Sequence, residues 1–281
     1  MATLEKTVPL IAAMLVMALS GSAFAAPLSA KTDPDALPGG VAAKGNSIAE
    51  AWLIAPTDRY DHNVHANRVE AGGVRARLPD GQVLSLMLPD TEVFEDSIVR
   101  LADLDGDGAD EIVLVLSSLR KGASLAVLEV SDAGITIAAQ TPFIGQTHRW
   151  LNPAGIADFT GDGHLEVALV QMPHLWKRLE LWRLVQGTLQ RVAAVDDVSN
   201  HRIGTPQQSL AVTADFDGDG IADLAIPDGA RSAIRLLRFA GGAQEIARIP
   251  LPGDAVSDLR QSGPGTLSVE LSDGRRTTIS R

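Results

Sequence analysis

The chain has no cysteine, which excludes disulfides, thiolate metal sites, a cysteine nucleophile and a lipid-modified cysteine in one step. Aromatic residues make up only 4%, so bulky rings do not dominate the core. Basic residues are also scarce: 24 Lys and Arg stand against 35 Asp and Glu, for a net charge of −11. That sign argues against nucleic acid as a partner, which calls for a basic face. Long apolar runs are missing except one near the start, from Val8 to about Leu19. It is preceded by Lys6 and followed by Ala23-Phe24-Ala25, a small-x-small pattern. A run this short cannot span a bilayer, which takes roughly 20 residues. Residues 1–25 therefore read as a cleavable signal peptide cut before Ala26, and the expected location is periplasmic or secreted, with no membrane span in the mature chain.

What is present is a repeat. ADLDGDGADEIVLV from Ala102, ADFTGDGHLEVALV from Ala157 and ADFDGDGIADLAIP from Ala214 align without gaps, their first aspartates spaced by 55 and 57 residues. Each copy has an apolar strand before the acidic loop and an alternating strand after it. Two more strand-like stretches follow: Ser124–Val130 and Ile135–Ala139, then Arg178–Val185 and Leu189–Val195, then Ala233–Phe239 and Gln244–Ile249. Four short antiparallel strands per repeat is the unit of a propeller blade. A weaker copy precedes these, with Ala42–Ser47 at the loop position and Glu50–Ile54 as the following strand. Another ends the chain, with Asp258–Gly263 at the loop position and Leu267–Leu271 after it. The expectation is an all-β propeller of five blades over residues 41–281, the alternative being four blades and an irregular closing segment. Residues 26–40 read as an N-terminal arm or linker, with the N-terminal segment completing the last blade.

The loops have the oxygen spacing a hard cation needs. Side chains at positions 1, 3, 5 and 9 and a carbonyl at position 7 can converge on one centre, and calcium takes six to eight oxygens. Glycines at positions 4 and 6 permit the tight turns. The candidate sites are Asp103, Asp105, Asp107, Ala109 and Glu111; Asp158, Thr160, Asp162, His164 and Glu166; and Asp215, Asp217, Asp219, Ile221 and Asp223. The second has one carboxylate fewer and is expected to be the weakest. An EF-hand is excluded, because position 12 is Leu114, Leu169 or Ile226 rather than glutamate and a strand follows instead of a helix.

These residues resemble the FG-GAP/VCBS repeats of calcium-binding β-propellers, over roughly residues 41–281. The Phe-Gly and Gly-Ala-Pro signatures are not evident, so the bacterial VCBS form is the better match. The resemblance implies the propeller fold and up to three structural calcium ions; it implies no activity.

In such a blade the acidic loops all lie at one end. The connections at the other end hold five of the six histidines. The candidate ligand-binding residues there are His62, Glu95, His148, Arg149, Trp150, Asn152, His174, Asn200, His201 and Arg202. Imidazole, guanidinium, amide and indole suit a small molecule, a glycan or a protein partner. The same groups can also serve as anchors for long connections. No nucleophile motif or carboxylate pair points to a reaction. The leading expectation is an exported binding or interaction module, and the alternative is an envelope hydrolase or lyase using the histidine, arginine and glutamate cluster.

Overall fold

The computed structural model describes residues 28–66, 69–263 and 265–280. Residues 1–25, expected to be a signal peptide, lie outside the described residues. Those described form strands and no helix, in five successive groups. The first is β1 (Glu50–Thr57), β2 (Glu70–Arg77), β3 (Val83–Met87) and β4 (Glu92–Phe94). The second is β5 (Arg100–Ala102), β6 (Glu111–Ser118), β7 (Gly122–Ser131) and β8 (Gly134–Gln140). The third is β9 (Leu151–Ala157), β10 (Glu166–Gln171), β11 (Arg178–Val185) and β12 (Thr188–Asp196). The fourth is β13 (Val212–Ala214), β14 (Asp223–Pro227), β15 (Ala233–Arg238) and β16 (Gln244–Pro250), and the fifth is β17 (Ala255–Gly263), β18 (Thr266–Leu271) and β19 (Arg276–Ser280).

All strand pairs are antiparallel. The third and fourth groups are separate four-stranded sheets in chain order, and the fifth has three strands. The first two groups share one sheet, because short β4 pairs with both β2 and β6. The expected strands of the three strong repeats fall on β7–β8, β11–β12 and β15–β16.

The second strand of each strong repeat begins with the loop's last carboxylate and is then an unbroken apolar run, because both its faces are buried. Side chains alternate between faces along a strand. On β6, Ile112, Leu114 and Leu116 enter a core shared with the first group, while Val113 and Val115 enter a core shared with the third. On β10, Val167 and Leu169 face back and Ala168 and Val170 face forward. On β14, Leu224 and Ile226 face back and Ala225 forward. The core is thus a series of layers between neighbouring groups, and truncating Leu169 to Ala would cost about 2–5 kcal/mol. The first strands β9, β13 and β17 touch in succession, as the inner strands of a propeller do.

Two expectations about the weak repeats change. Asp258–Gly263 is not a loop but the bulged end of β17, where Asp258 pairs with Arg260 and Arg276 instead of facing other carboxylates. The N-terminal segment lies on β1, through Ala36–Ile54 and Ala43–Ala51 bridges, rather than beside β17–β19. Trp52 Nε1 donates to Asp33 at 2.7 Å and Arg75 forms an ion pair with the same carboxylate, which fixes the segment there.

Candidate functional site

The three acidic loops join β5 to β6, β9 to β10 and β13 to β14, and they repeat one hydrogen-bond scheme. The first aspartate accepts the amides of both loop glycines: Gly106 and Gly108 on Asp103 at 2.8 and 3.0 Å, Gly161 and Gly163 on Asp158 at 2.7 and 2.8 Å, Gly218 and Gly220 on Asp215 at 2.6 and 2.9 Å. These glycines have φ between 75° and 93°, a region costly for a side chain. The position-9 carboxylate accepts the amide of position 2: Leu104 on Glu111 at 2.7 Å, Phe159 on Glu166 at 2.9 Å, Phe216 on Asp223 at 2.8 Å.

Carboxylate oxygens of Asp103, Asp105 and Glu111 lie within 4.8 Å of one another, as do those of Asp158, Asp162 and Glu166 and those of Asp215, Asp217 and Asp223. Asp107 and Asp219 instead accept the Ala109 and Ile221 amides, each at 2.8 Å. In the first loop no hydrogen bond reaches Glu111 Oε1 among the described residues. Burial, then the charges of Asp105, Asp107 and Asp103, push this glutamate up to about 7. That is a donor set short of a cation, and it fits calcium. The third loop fits too, although Arg238 reaches Asp217 at 3.4 Å. The second loop already contains a cation. Arg183 lies opposite Glu166 in the β10–β11 register, ion-pairs with Glu166, contacts Asp162 at 2.7 Å and donates to Thr160 Oγ1 at 2.7 Å. A metal there must compete with a guanidinium.

At the opposite end the histidines converge. His62 meets Glu95 through Nδ1; Glu95 is fully buried and accepts Ser117 Oγ at 2.5 Å. Burial raises the pKa of Glu95, opposed by its bond to His62. Tyr60 is buried beside this pair, accepts the His148 amide at 2.8 Å, and is pushed up to about 12 by burial and then by Glu95. The His62 and His148 rings are 5.2 Å apart. Trp150 Nε1 donates to the Glu95 carbonyl at 2.9 Å, and His65 and His201 stand edge-on to the indole at 4.6 and 4.9 Å. His201 Nε2 can only donate to the Thr205 carbonyl at 2.9 Å, so in the neutral ring Nδ1 accepts from His174 Nε2, also at 2.9 Å. Burial holds His65, His174 and His201 down at about 4, so all three are neutral at pH 7.

These groups surround a cavity of about 370 Å³. Its wall has three imidazoles (His62, His148 and His174), Arg149 and Trp150, and the apolar Met172, Leu175 and Ile203. The other candidates lie elsewhere. Glu95 and His201 stand behind the wall, fully buried. Asn152 and Asn200 are a buried clamp: each Nδ2 donates to the other's backbone carbonyl, at 3.3 and 3.1 Å. Arg202 is exposed outside the wall. Residues that sequence reasoning passed over include Ser117, Gln208, which bonds His65 at 3.0 Å, and Glu70. Glu70 is buried with Oε1 unpartnered; burial, then Glu95 and Asp61, push it up to about 8. Ser117 carried a signal, as a hydroxyl ending the apolar run of β6.

A repeated strand–acidic loop–strand unit, with sheets packed face to face in chain order, defines the class: an all-β, propeller-like repeat protein. Residues 158–226, which hold the second and third loops, match the FG-GAP-like repeat family. No curated protein sequence matches the chain. Among solved structures it is similar to the rhamnogalacturonan lyase YesW, with a TM-score of 0.52 and 15% identity. The match covers 88% of this chain and 49% of the lyase chain, so it spans about half of that protein and shows the fold alone. Among the described residues no helix is long and apolar enough to cross a membrane.

Proposed function

We propose that this chain is an exported binding module: a five-bladed propeller of the VCBS kind, stiffened by calcium at one end and taking its ligand in the histidine-lined cavity at the other. The observation that carries this reading is convergence. Residues from four separate connections, at 62, 148–150, 172–175 and 203, meet around one cavity of the size small ligands use. Calcium would be held by Asp103, Asp105 and Glu111 and by Asp215, Asp217 and Asp223, most weakly by Asp158, Asp162 and Glu166. It would supply the positive charge these loops need to keep their strands in register. Export rests on the leader; N-terminal sequencing of the mature protein should begin at Ala26.

A second reading has one specific observation in its favour. A fully buried carboxylate holds Nδ1 of His62, whose ring lines the cavity, and this is how a general base is oriented. An envelope lyase or hydrolase would use it so. The test of binding is thermal protection of the calcium-loaded protein across a panel of small molecules and glycans, repeated with His148→Ala. A ligand whose protection disappears in that variant, with the unliganded melting temperature kept, supports the cavity. Protection that survives the substitution sinks it. Product formation that is lost in His62→Ala would favour the enzyme.

A further inference from the structure

In each strong repeat the loop's last carboxylate opens the second strand, and the third strand runs back beside it. Residues directly opposite in an antiparallel pair share a face and touch. Glu166 faces Arg183 in the β10–β11 register. One step beyond the Ile112–Leu128 and Leu224–Leu237 pairs, Glu111 faces Glu129 and Asp223 faces Arg238. A single structural position thus carries glutamate in the first repeat and arginine in the other two.

The three side chains are disposed differently. Arg183 commits its whole guanidinium to the second loop. Nε donates to Glu166 Oε1 at 2.9 Å, Nη1 meets Asp162 Oδ2 at 2.7 Å, and Nη2 bonds both Glu166 and Thr160 Oγ1. Asp162 and Glu166 are two of the three carboxylates whose oxygens converge there. This is also the loop whose third position is a hydroxyl, Thr160, where the others have aspartate. Arg238 is drawn off by Gln244, whose Oε1 accepts Nε at 3.1 Å and Nη2 at 2.8 Å; Nη1 reaches Asp217 only at 3.4 Å. Glu129 is exposed and brings no cation to the first loop. There Glu111 is buried, and among the described residues only its Oε2 has a hydrogen bond.

On the reading that the acidic loops take calcium, we infer that this cross-strand position decides which of them do. Arg183 is the resident cation of the second loop and excludes the metal. Arg238 weakens the third loop, and Glu129 leaves the first one open. The chain therefore binds two calcium ions and not three, the first loop more tightly than the third. Calcium needs bare oxygens, six to eight of them at about 2.3–2.6 Å. To enter the second loop it must expel a tethered guanidinium and strip the fully buried Glu166 of its partner, which is strongly unfavourable. Holding both cations on the same carboxylates sets them in mutual repulsion. Arg238 has Gln244 to retreat to, so its displacement is easy. The central blade thus keeps its loop compensated whatever the calcium level.

The experiment counts calcium bound per folded chain, by equilibrium dialysis against up to about 5 mM calcium, well above the Kd of extracellular sites. Wild type should bind two ions, Arg183→Gln three and Glu129→Arg one, while Glu129→Gln stays at two. Glu129 is exposed, so its variants test the rule without disturbing a buried pair. Arg238→Gln should keep two ions and tighten the weaker site about two- to fivefold, as loss of a surface ion pair allows. Three ions on wild type would overturn the inference and leave the calcium reading standing. Two ions on folded Arg183→Gln, or two on Glu129→Arg, would overturn it as well. No calcium on any of these proteins would remove the calcium reading itself, and this inference with it.

Discussion

Arg183 on β11 faces Glu166 on β10 across the sheet and bonds the Oε1 oxygen, leaving Oε2 to the Phe159 amide. In the first loop the equivalent Glu111 has the same backbone bond and no arginine. One repeat has thus placed a fixed cation where its neighbour has only carboxylates.

This difference predicts how the loops respond to metal. Removing Arg183 strips a fully buried Glu166 of its counter-charge, which for a buried pair costs about 3–5 kcal/mol. Arg183→Gln should therefore be strongly destabilised in chelator and largely restored by calcium. Melting curves of both proteins, with and without chelator, check this. An equal chelator effect on variant and wild type would refute the role given to Arg183.

Calcium itself should stabilise the wild-type protein. With Kd values of ~10⁻⁴–10⁻³ M, each occupied loop adds about 0.4–1.4 kcal/mol at ~1 mM calcium. Asp103→Asn with Asp105→Asn should remove one such increment, visible in calcium titrations of denaturant midpoints. Midpoints that ignore calcium would contradict the cation-site reading.

The neutral histidines make the fold acid-sensitive. Unfolded histidine titrates near 6.5, whereas His65, His174 and His201 resist protonation down to about 4. Between those values the unfolded chain binds more protons, so stability is full above about 6.5 and is lost as pH falls toward 4. For His65 alone the loss is on the order of 3 kcal/mol. Denaturant unfolding from pH 7.5 to 4.5 measures it, and His65→Gln should flatten the profile.

Glu70 acts with the opposite sign. Its carboxyl is held up at about 8, against about 4.3 in an unfolded chain. The native state therefore keeps a proton that the unfolded state has released, and stability declines as pH rises through that window. The cost at pH 8 is up to about 4 kcal/mol. Glu70→Gln should raise the melting temperature at pH 8 and change it little at pH 5. A destabilised variant at pH 8 would mean that Glu70 has an ionic partner.

Legibility followed sequence distance. The strong repeats could be read because a loop and its flanking strands lie within about a dozen residues, where spacing and alternation dictate conformation. The weak last repeat was misjudged for the same reason. With only Asp258 left of its acids, nothing local separated a loop from a bulged strand, and pairing with β18 decided it. In the candidate site, His62, His148 and His174 come from separate connections and all line the cavity. Asn152 and Asn200 have the same end and chemistry but point into a clamp. Which side of a connection faces solvent depends on packing that the local sequence does not express.

The sequence by itself determined the blade-like repeat, the acidic loops and the end of the molecule at which the histidines gather. All of these are consequences of short-range period and of strands that reverse at each turn. Only the tertiary structure decided that Glu95 lies behind His62, that Arg183 enters the second loop, and that Trp176 rather than Trp150 is the exposed indole. Glu95 and His62 lie 33 residues apart, and Arg183 and Glu166 lie 17 apart. Arg183 meets Glu166 only once the β10–β11 pair has taken its register, and Glu95 meets His62 only once the connection after β1 has folded back, because such contacts are set by register and packing rather than by neighbours in the chain.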